Sequence, residues 1–333
     1  MYKKILLASS VALLIFSGCS SKQYYDPEQT YDASSSSMGD KIIHYSRDGA
    51  TLASGEVLTR TKRVKLKLEK GFYFINSSKN VAITADAHGK VNIVTQKGVV
   101  DSATFPQALV SATLIGKYLV YVLQNNTFGV YNFETKSLDY SNKAQKAFAI
   151  DTRIANPLKV DSLVIIPTLD GKLTILDLKT FKISKEMYVS TETSLNNIIF
   201  LERLNNTLIA ATPNKVLSIS NKGKKELDTS ISEVIIQGKD LFVFAKDGRI
   251  LKLNESLTID SEKKFKFAHF SIATVHADKV YALDKQGFLI VSNKSFSKHK
   301  VYKVAEVEGY AFVSEGKLYY NGNIIQLSGL NYE

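Results

Sequence analysis

Hydrophobic and polar positions along this chain repeat one short phrase: a β-rich apolar stretch, a tight polar turn usually centred on Gly, and a second β-rich stretch. The clearest copy is Ser162-Leu-Val-Ile-Ile-Pro-Thr-Leu-Asp-Gly171-Lys-Leu-Thr-Ile-Leu-Asp-Leu178. Aligning the turns puts Gly49, Gly89, Asn126, Gly171, Asn214, Gly248, Gly287 and Gly316 in equivalent places, with steps of 40, 37, 45, 43, 34, 39 and 29 residues. Gly or Asn at the tip accepts the positive φ that a tight hairpin needs, so these are hairpins rather than helices. Around each there is room for an earlier strand, such as residues 108–114, and a later one, such as residues 182–187. Units of this length predict four-stranded blades that bury a core only by stacking. The expected fold is all-β: a single β-propeller of eight four-stranded antiparallel blades. Seven blades, with the N-terminal segment completing the last, is the alternative left open, because the first unit is the least regular.

The N-terminus changes this picture of a plain repeat array. Lys3 and Lys4 precede an apolar run from Ile5 to Phe16, which is too short for a resident spanning helix and reads as an export signal over residues 1–18. The run ends in Phe16-Ser17-Gly18-Cys19, which resembles the lipobox of bacterial lipoproteins, although Phe16 stands where Leu is usual. That resemblance implies cleavage before Cys19 and acylation of its sulfur, with each buried methylene contributing about 0.8 kcal/mol to membrane binding. Ser20 follows the Cys where, by the enterobacterial sorting rule, an Asp would retain the protein at the inner membrane. The expected location is therefore the periplasmic face of the outer membrane. Residues 19–40, with Ser34 to Ser37 in a row and few aliphatic residues, are expected to form a flexible tether, and residues 41–333 the propeller.

Composition narrows the chemistry. Cys19 is the only cysteine, which removes disulfides and thiol catalysis from the rest of the chain. The formal charge of +11 falls to +9 when Lys3 and Lys4 leave with the signal, which holds no acidic residue. This excess favours acidic partners, anionic headgroups or glycans, and nucleic acid is not expected for an exported protein. Arg63, Lys65 and Lys67 alternate with Val64, Leu66 and Leu68, the pattern of a solvated outer strand whose edge lysine keeps soluble. The Tyr24-Tyr25 pair offers a contact for a partner.

No Gly-x-Ser-x-Gly elbow, His-Glu-x-x-His helix, Walker loop or Gly-x-Gly-x-x-Gly fingerprint occurs. His44, His88, His269, His276 and His299 are scattered singly, whereas a metal site needs convergent ligands. No catalytic residue, metal or cofactor is expected.

The form Asp-Gly-Lys-Leu-Thr-Ile-Leu-Asp-Leu-Lys-Thr at 170–180 resembles the repeat of quinoprotein-like propellers, with residues 125–135 as the second close copy. The sequence has no Trp, so the aromatic contacts between blades of quinone-binding members are missing. Joined to the lipobox, the chain resembles the B-type lipoprotein subunits of the outer-membrane β-barrel assembly machinery, which are non-catalytic eight-bladed scaffolds. That resemblance implies an interblade loop that contacts the barrel-forming subunit. Its counterpart here runs from Ile150 through Arg153 to Pro157, and the next interblade loop corresponds to Thr191-Glu192-Thr193. In a four-stranded meander, the turn between the second and third strands opens on the same face as the connection to the next blade. Arg153 and Glu192 are therefore expected on the face of the Asp-Gly turns. The reading is a monomer within a complex that binds an envelope protein; a quinone-dependent dehydrogenase or cell-wall glycan binder is the alternative.

Overall fold

A computed structural model describes residues 23–147, 153–192 and 196–333. It is an eight-bladed β-propeller built from antiparallel sheets. The blades span residues 42–64, 73–104, 109–143, 158–188, 200–228, 231–264, 270–303 and 311–326, called blades 1 to 8 below. The first strands of successive blades lie against one another around the axis, as blades 2 and 3, 6 and 7, and 7 and 8 show.

The two middle strands of a blade are buried on both faces, because each blade is sandwiched between two others. Strand alternation divides the labour. In Asp240–Ala245, Leu241 and Val243 pack toward blade 5, while Phe242 and Phe244 pack toward blade 7. Among the described residues every junction around the ring has such an apolar cluster, including the closing one, where Phe312 and Tyr319 of blade 8 meet Ala50, Leu52 and Leu58 of blade 1. The fourth strands of blades 5 and 6, Gly223–Asp228 and Ile259–Lys264, are polar and exposed, which protects these outer edges from pairing with other chains. The Arg63 to Leu68 segment fits this logic: Leu66 is buried between blades 1 and 2, and Lys65 and Lys67 face solvent. Its strand, however, covers only Arg63–Val64.

Two expectations change. Gly49 and Gly316 do not occupy the central turn of their blades; they lie where the first strand joins the second. The turns equivalent to Gly171 and Gly248 are those of Gly55 and Gly322, both with positive φ. Every hairpin of a blade can use a glycine turn, so the pattern cannot tell which of the three it marks. The count of eight survives because each end was displaced by one hairpin.

The stretch 19–40 was expected to be a free tether, yet its described part is laid on the propeller. Ser36–Ser37 pairs with Asn323 and Ile324 as the fourth strand of blade 8, so the N-terminal segment does complete the last blade, but of eight rather than seven. Tyr31–Asp32 adds in parallel to blade 7. Tyr25 sits edge-on to Phe265 and Phe288, with ring centroids 6.1 and 5.7 Å away. Sparse anchors suffice because the ring supplies the strand edge and aromatic slot that the segment itself lacks.

The central turns test this packing. Gly248 and Gly238 both have positive φ, but a Cβ at Gly248 would run into the Phe265 carbonyl oxygen, whereas one at Gly238 meets nothing within 4 Å. Gly248→Ala is expected to lose about 1–3 kcal/mol more stability than Gly238→Ala in denaturant titrations.

Candidate functional site

Blade 1 has short strands, and the loop between Ile42–Tyr45 and Gly49–Leu52 turns inward instead of reaching solvent. Ser46 fixes it by donating from Oγ to the Ile75 carbonyl at 2.9 Å. Arg47 is thereby driven into the ring, where its side chain is only 7% exposed. Its Nη1 lies 2.5 Å from Glu233 Oε1, and its Nη2 donates to the Val234 carbonyl at 2.9 Å. Glu233 comes from the first strand of blade 6, next to a register shift between Ile231 and Glu233. The guanidinium also stands over the Phe200 ring of blade 5, 4.8 Å from its centroid.

Further charges gather around this pair. Arg153, in the connection into blade 4, donates to the Ser232 carbonyl and lies 3.7 Å from Glu233 Oε2. Arg60 donates from Nη2 to the Arg47 carbonyl at 2.7 Å, lies 3.9 Å from Asp48, and stands over the Phe312 ring. Asn156 donates to Asp48 at 2.6 Å and accepts from the Ala112 amide. Segments from six blades or their connections thus converge on one polar cluster.

The charges are held by one another. Burial alone would raise the Glu233 carboxyl, but Arg47, Arg153 and Arg60 together hold it below the ordinary glutamate value of 4.5. Burial pulls the Arg47 guanidinium down, and Glu233, Asp48 and Glu202 more than reverse that. Burial and then the positive charge of Arg47 lower Arg60. Burial raises the Glu202 carboxyl against the opposing pull of Arg47.

Beside the cluster lies a cavity of about 280 Å³, lined by Tyr45, Arg47, Arg60, Arg153, Glu233 and Phe312 among others. It shares walls with a second cavity of about 470 Å³, where Lys246, His269, Lys285 and Glu308 appear. Lys246 and Lys285 belong to the central turns of blades 6 and 7, so this hollow opens on the face of those turns. A third, more apolar cavity of about 340 Å³ lies beside His44 and Tyr73, whose rings stack at 4.5 Å. Among the described residues, no three His, Cys, Asp or Glu side chains converge as metal ligands.

Of the residues singled out in the sequence, Cys19 and Ile150 lie outside the described residues. Arg153 is on the expected face, but its side chain is only 17% exposed and turned into the axis. Glu192 is exposed and accepts a hydrogen bond from Asn214 in the central turn of blade 5. Nothing places it in the Arg153 cluster. Arg47, Arg60 and Glu233 carried no sequence signal: Arg47 and Glu233 are 186 positions apart, and each reads locally as an ordinary surface charge.

No family model matches the chain. Two sequence relatives, the plasminogen-binding protein PgbB of two Helicobacter pylori strains, are each 25% identical over 95% of this chain and 68% or 67% of their own length. Among solved structures, BamB from Moraxella catarrhalis superposes with a TM-score of 0.64 at 13% identity, over 88% of this chain and 99% of its own. The C-terminal WD40 domain of Sif2 gives 0.65 at 10% identity, over 89% and 99%. The computationally designed Ika8 protein gives 0.60 at 10%, over 91% and 98%. At these identities the solved structures share the fold, and the fold alone does not assign a function.

The buried pair sets an expected mutational pattern. Arg47→Met or Glu233→Leu alone should cost about 3–5 kcal/mol by leaving a buried charge uncompensated, and the double variant should recover much of it. Because the Glu233 carboxyl is depressed, its contribution is complete above the ordinary glutamate range and is lost as pH falls through its lower folded value. Glu233→Gln should flatten the acid limb of thermal stability measured from pH 6 down to about 2.

Proposed function

We propose that this chain is a non-catalytic, lipid-anchored propeller of the bacterial envelope that uses the face carrying its central turns to hold another envelope protein. The observation that carries this reading is the axis: charges drawn from non-adjacent blades pair across it and leave only small hollows beside them, so the broad surfaces available for recognition of a protein are the ring faces. Lys246, Lys285, Glu192 and the exposed Tyr310 belong to turns and connections on this face. Tyr310, whose ring centroid is 5.2 Å from that of Tyr45, is a large amphipathic side chain of the kind that anchors protein interfaces.

Two likenesses support a protein as the partner. The sequence relatives are named for binding plasminogen, a protein, and BamB has the same fold. The lipobox-like Phe16-Ser17-Gly18-Cys19 supports attachment by acyl chains. Within this reading the partner is the barrel-forming subunit of the outer-membrane assembly machinery, and the propeller sits at the periplasmic face of the outer membrane. Arg153 acts from inside the axis and supports the face, while Glu192 and Tyr310 are offered outward.

Co-purification from detergent-solubilised envelopes should recover one stable envelope protein with the wild type. Tyr310→Asp should lose it without lowering the melting temperature by more than a few degrees. Intact-mass measurement should show acylation on Cys19, and Cys19→Ser should release the protein from membranes. Absence of any envelope partner would sink the proposal, and retention on immobilised plasminogen in its place would move the reading to host-protein capture.

A further inference from the structure

We propose that the axial hollow is a binding site for a carboxylate, with Arg60 as its principal donor. This goes beyond the docking of a protein on the ring face, since it assigns a ligand class to the interior. Arg60 is the starting point. Its side chain comes from the turn between the third and fourth strands of blade 1, is 38% exposed and lines the cavity of about 280 Å³. Arg47 and Arg153 spend their guanidinium groups on Glu233 and on the Val234 and Ser232 carbonyls. Arg60 spends Nη2 on the Arg47 carbonyl, and its Nε stays 3.9 Å from Asp48, beyond hydrogen-bond reach. Its remaining donors make no hydrogen bond among the described residues, and the residue lines the hollow.

Geometry and charge select the ligand. A guanidinium presents planar paired donors that match a carboxylate two-to-two. The ring of Phe312 lies 5.7 Å from the Arg60 guanidinium carbon, which limits the planes that the fork can adopt. Around the hollow stand Arg47, Arg60, Arg153, Lys246 and Lys285 against Glu233 and Glu308, with Asp48 and Glu202 adding their fields from behind. Five cations against four carboxyl groups leave a single positive charge, which one carboxylate neutralises and a doubly charged phosphate would overshoot. The inner cavity of about 280 Å³ accepts a group the size of a side-chain carboxyl or small organic acid, and the lysines at its mouth steer an anion inward.

The same carboxylate chemistry belongs to a free organic acid or to an acidic peptide, so calorimetric titrations of the full mature chain should use two probes. These are propionate, a monocarboxylate, and an Asp/Glu-rich peptide with an amidated C-terminus, each at constant ionic strength set with chloride. Saturable binding is expected, with Arg60→Met weakening it about tenfold or more. Gly309 lines both cavities and a Cβ there meets nothing within 4 Å. Gly309→Asp therefore puts a carboxylate of the protein's own at the mouth and should weaken binding similarly, while Gly309→Ala should not.

Tighter binding of the peptide assigns the site to a partner's acidic segment, and tighter binding of propionate assigns it to a free acid. Failure of the wild type to bind either probe would overturn the proposal. So would equal binding by wild type and a folded Arg60→Met variant. If Arg60→Met does not fold, unchanged affinity in Gly309→Asp overturns it instead. Envelope-partner recovery is read separately, so loss of the carboxylate site leaves the docking reading standing, and the reverse holds too.

Discussion

Everything in this molecule depends on apolar packing between neighbouring blades. A single four-stranded blade has two hydrophobic faces and no core of its own, so each of its middle strands is stable only when covered on both sides. Leu241 and Val243 face one neighbour while Phe242 and Phe244 face the other, and the same division recurs around the ring. Blade 8 would end this series with an uncovered face and an unpaired edge. The contact of Phe312 and Tyr319 with Leu52 and Leu58 covers the face. Ser36–Ser37 pairs with the edge. Closure therefore joins the two ends of the chain.

The polar axis is a consequence of that closure. Loops and first strands from many blades are forced toward one line, where water is partly excluded and unpaired charge is costly. Arg47 and Glu233 meet that constraint in each other, with Arg153 and Arg60 adding positive charge and Asp48 answering it. Such a cluster is weak evidence for net stability but ties blades 1, 4 and 6 into one arrangement. It also divides the molecule chemically, with charge gathered in the interior and turns and connections on the outer face.

The outer strands and the inner cluster show two ways of handling charge. Lys215 with Glu226, or Lys224 with Glu226, are exposed pairs on the rim of blade 5, where screening leaves each worth little. They keep an edge soluble. Arg47 and Glu233, buried and fixed by several partners, set geometry instead. The net positive charge is thus spread over surfaces with different roles, and its sign alone does not identify a ligand.

How much of this was legible in the sequence follows from how local each signal is. Period-two alternation and glycine turns are properties of a few adjacent residues, so the hairpins, all-β class and repeat length were readable without a structure. The identity of each turn was not: Gly49 and Gly316 mark a different hairpin from Gly171, because a glycine records positive φ or close approach and not its strand order. Residues 23–40 are polar and read as a tether, since the strand edge and the slot between Phe265 and Phe288 that receive them are made by other parts of the chain. Arg153 was visible as an interblade arginine, but its inward course was not. Arg47, Arg60 and Glu233 were silent, because a charged residue in a loop or near a strand end looks the same in sequence whether it meets water or an opposite charge across the axis. Sequence determined the modules by short-range periodicity; only the closed ring, by bringing distant loops to a common centre, decided which charges would be buried together.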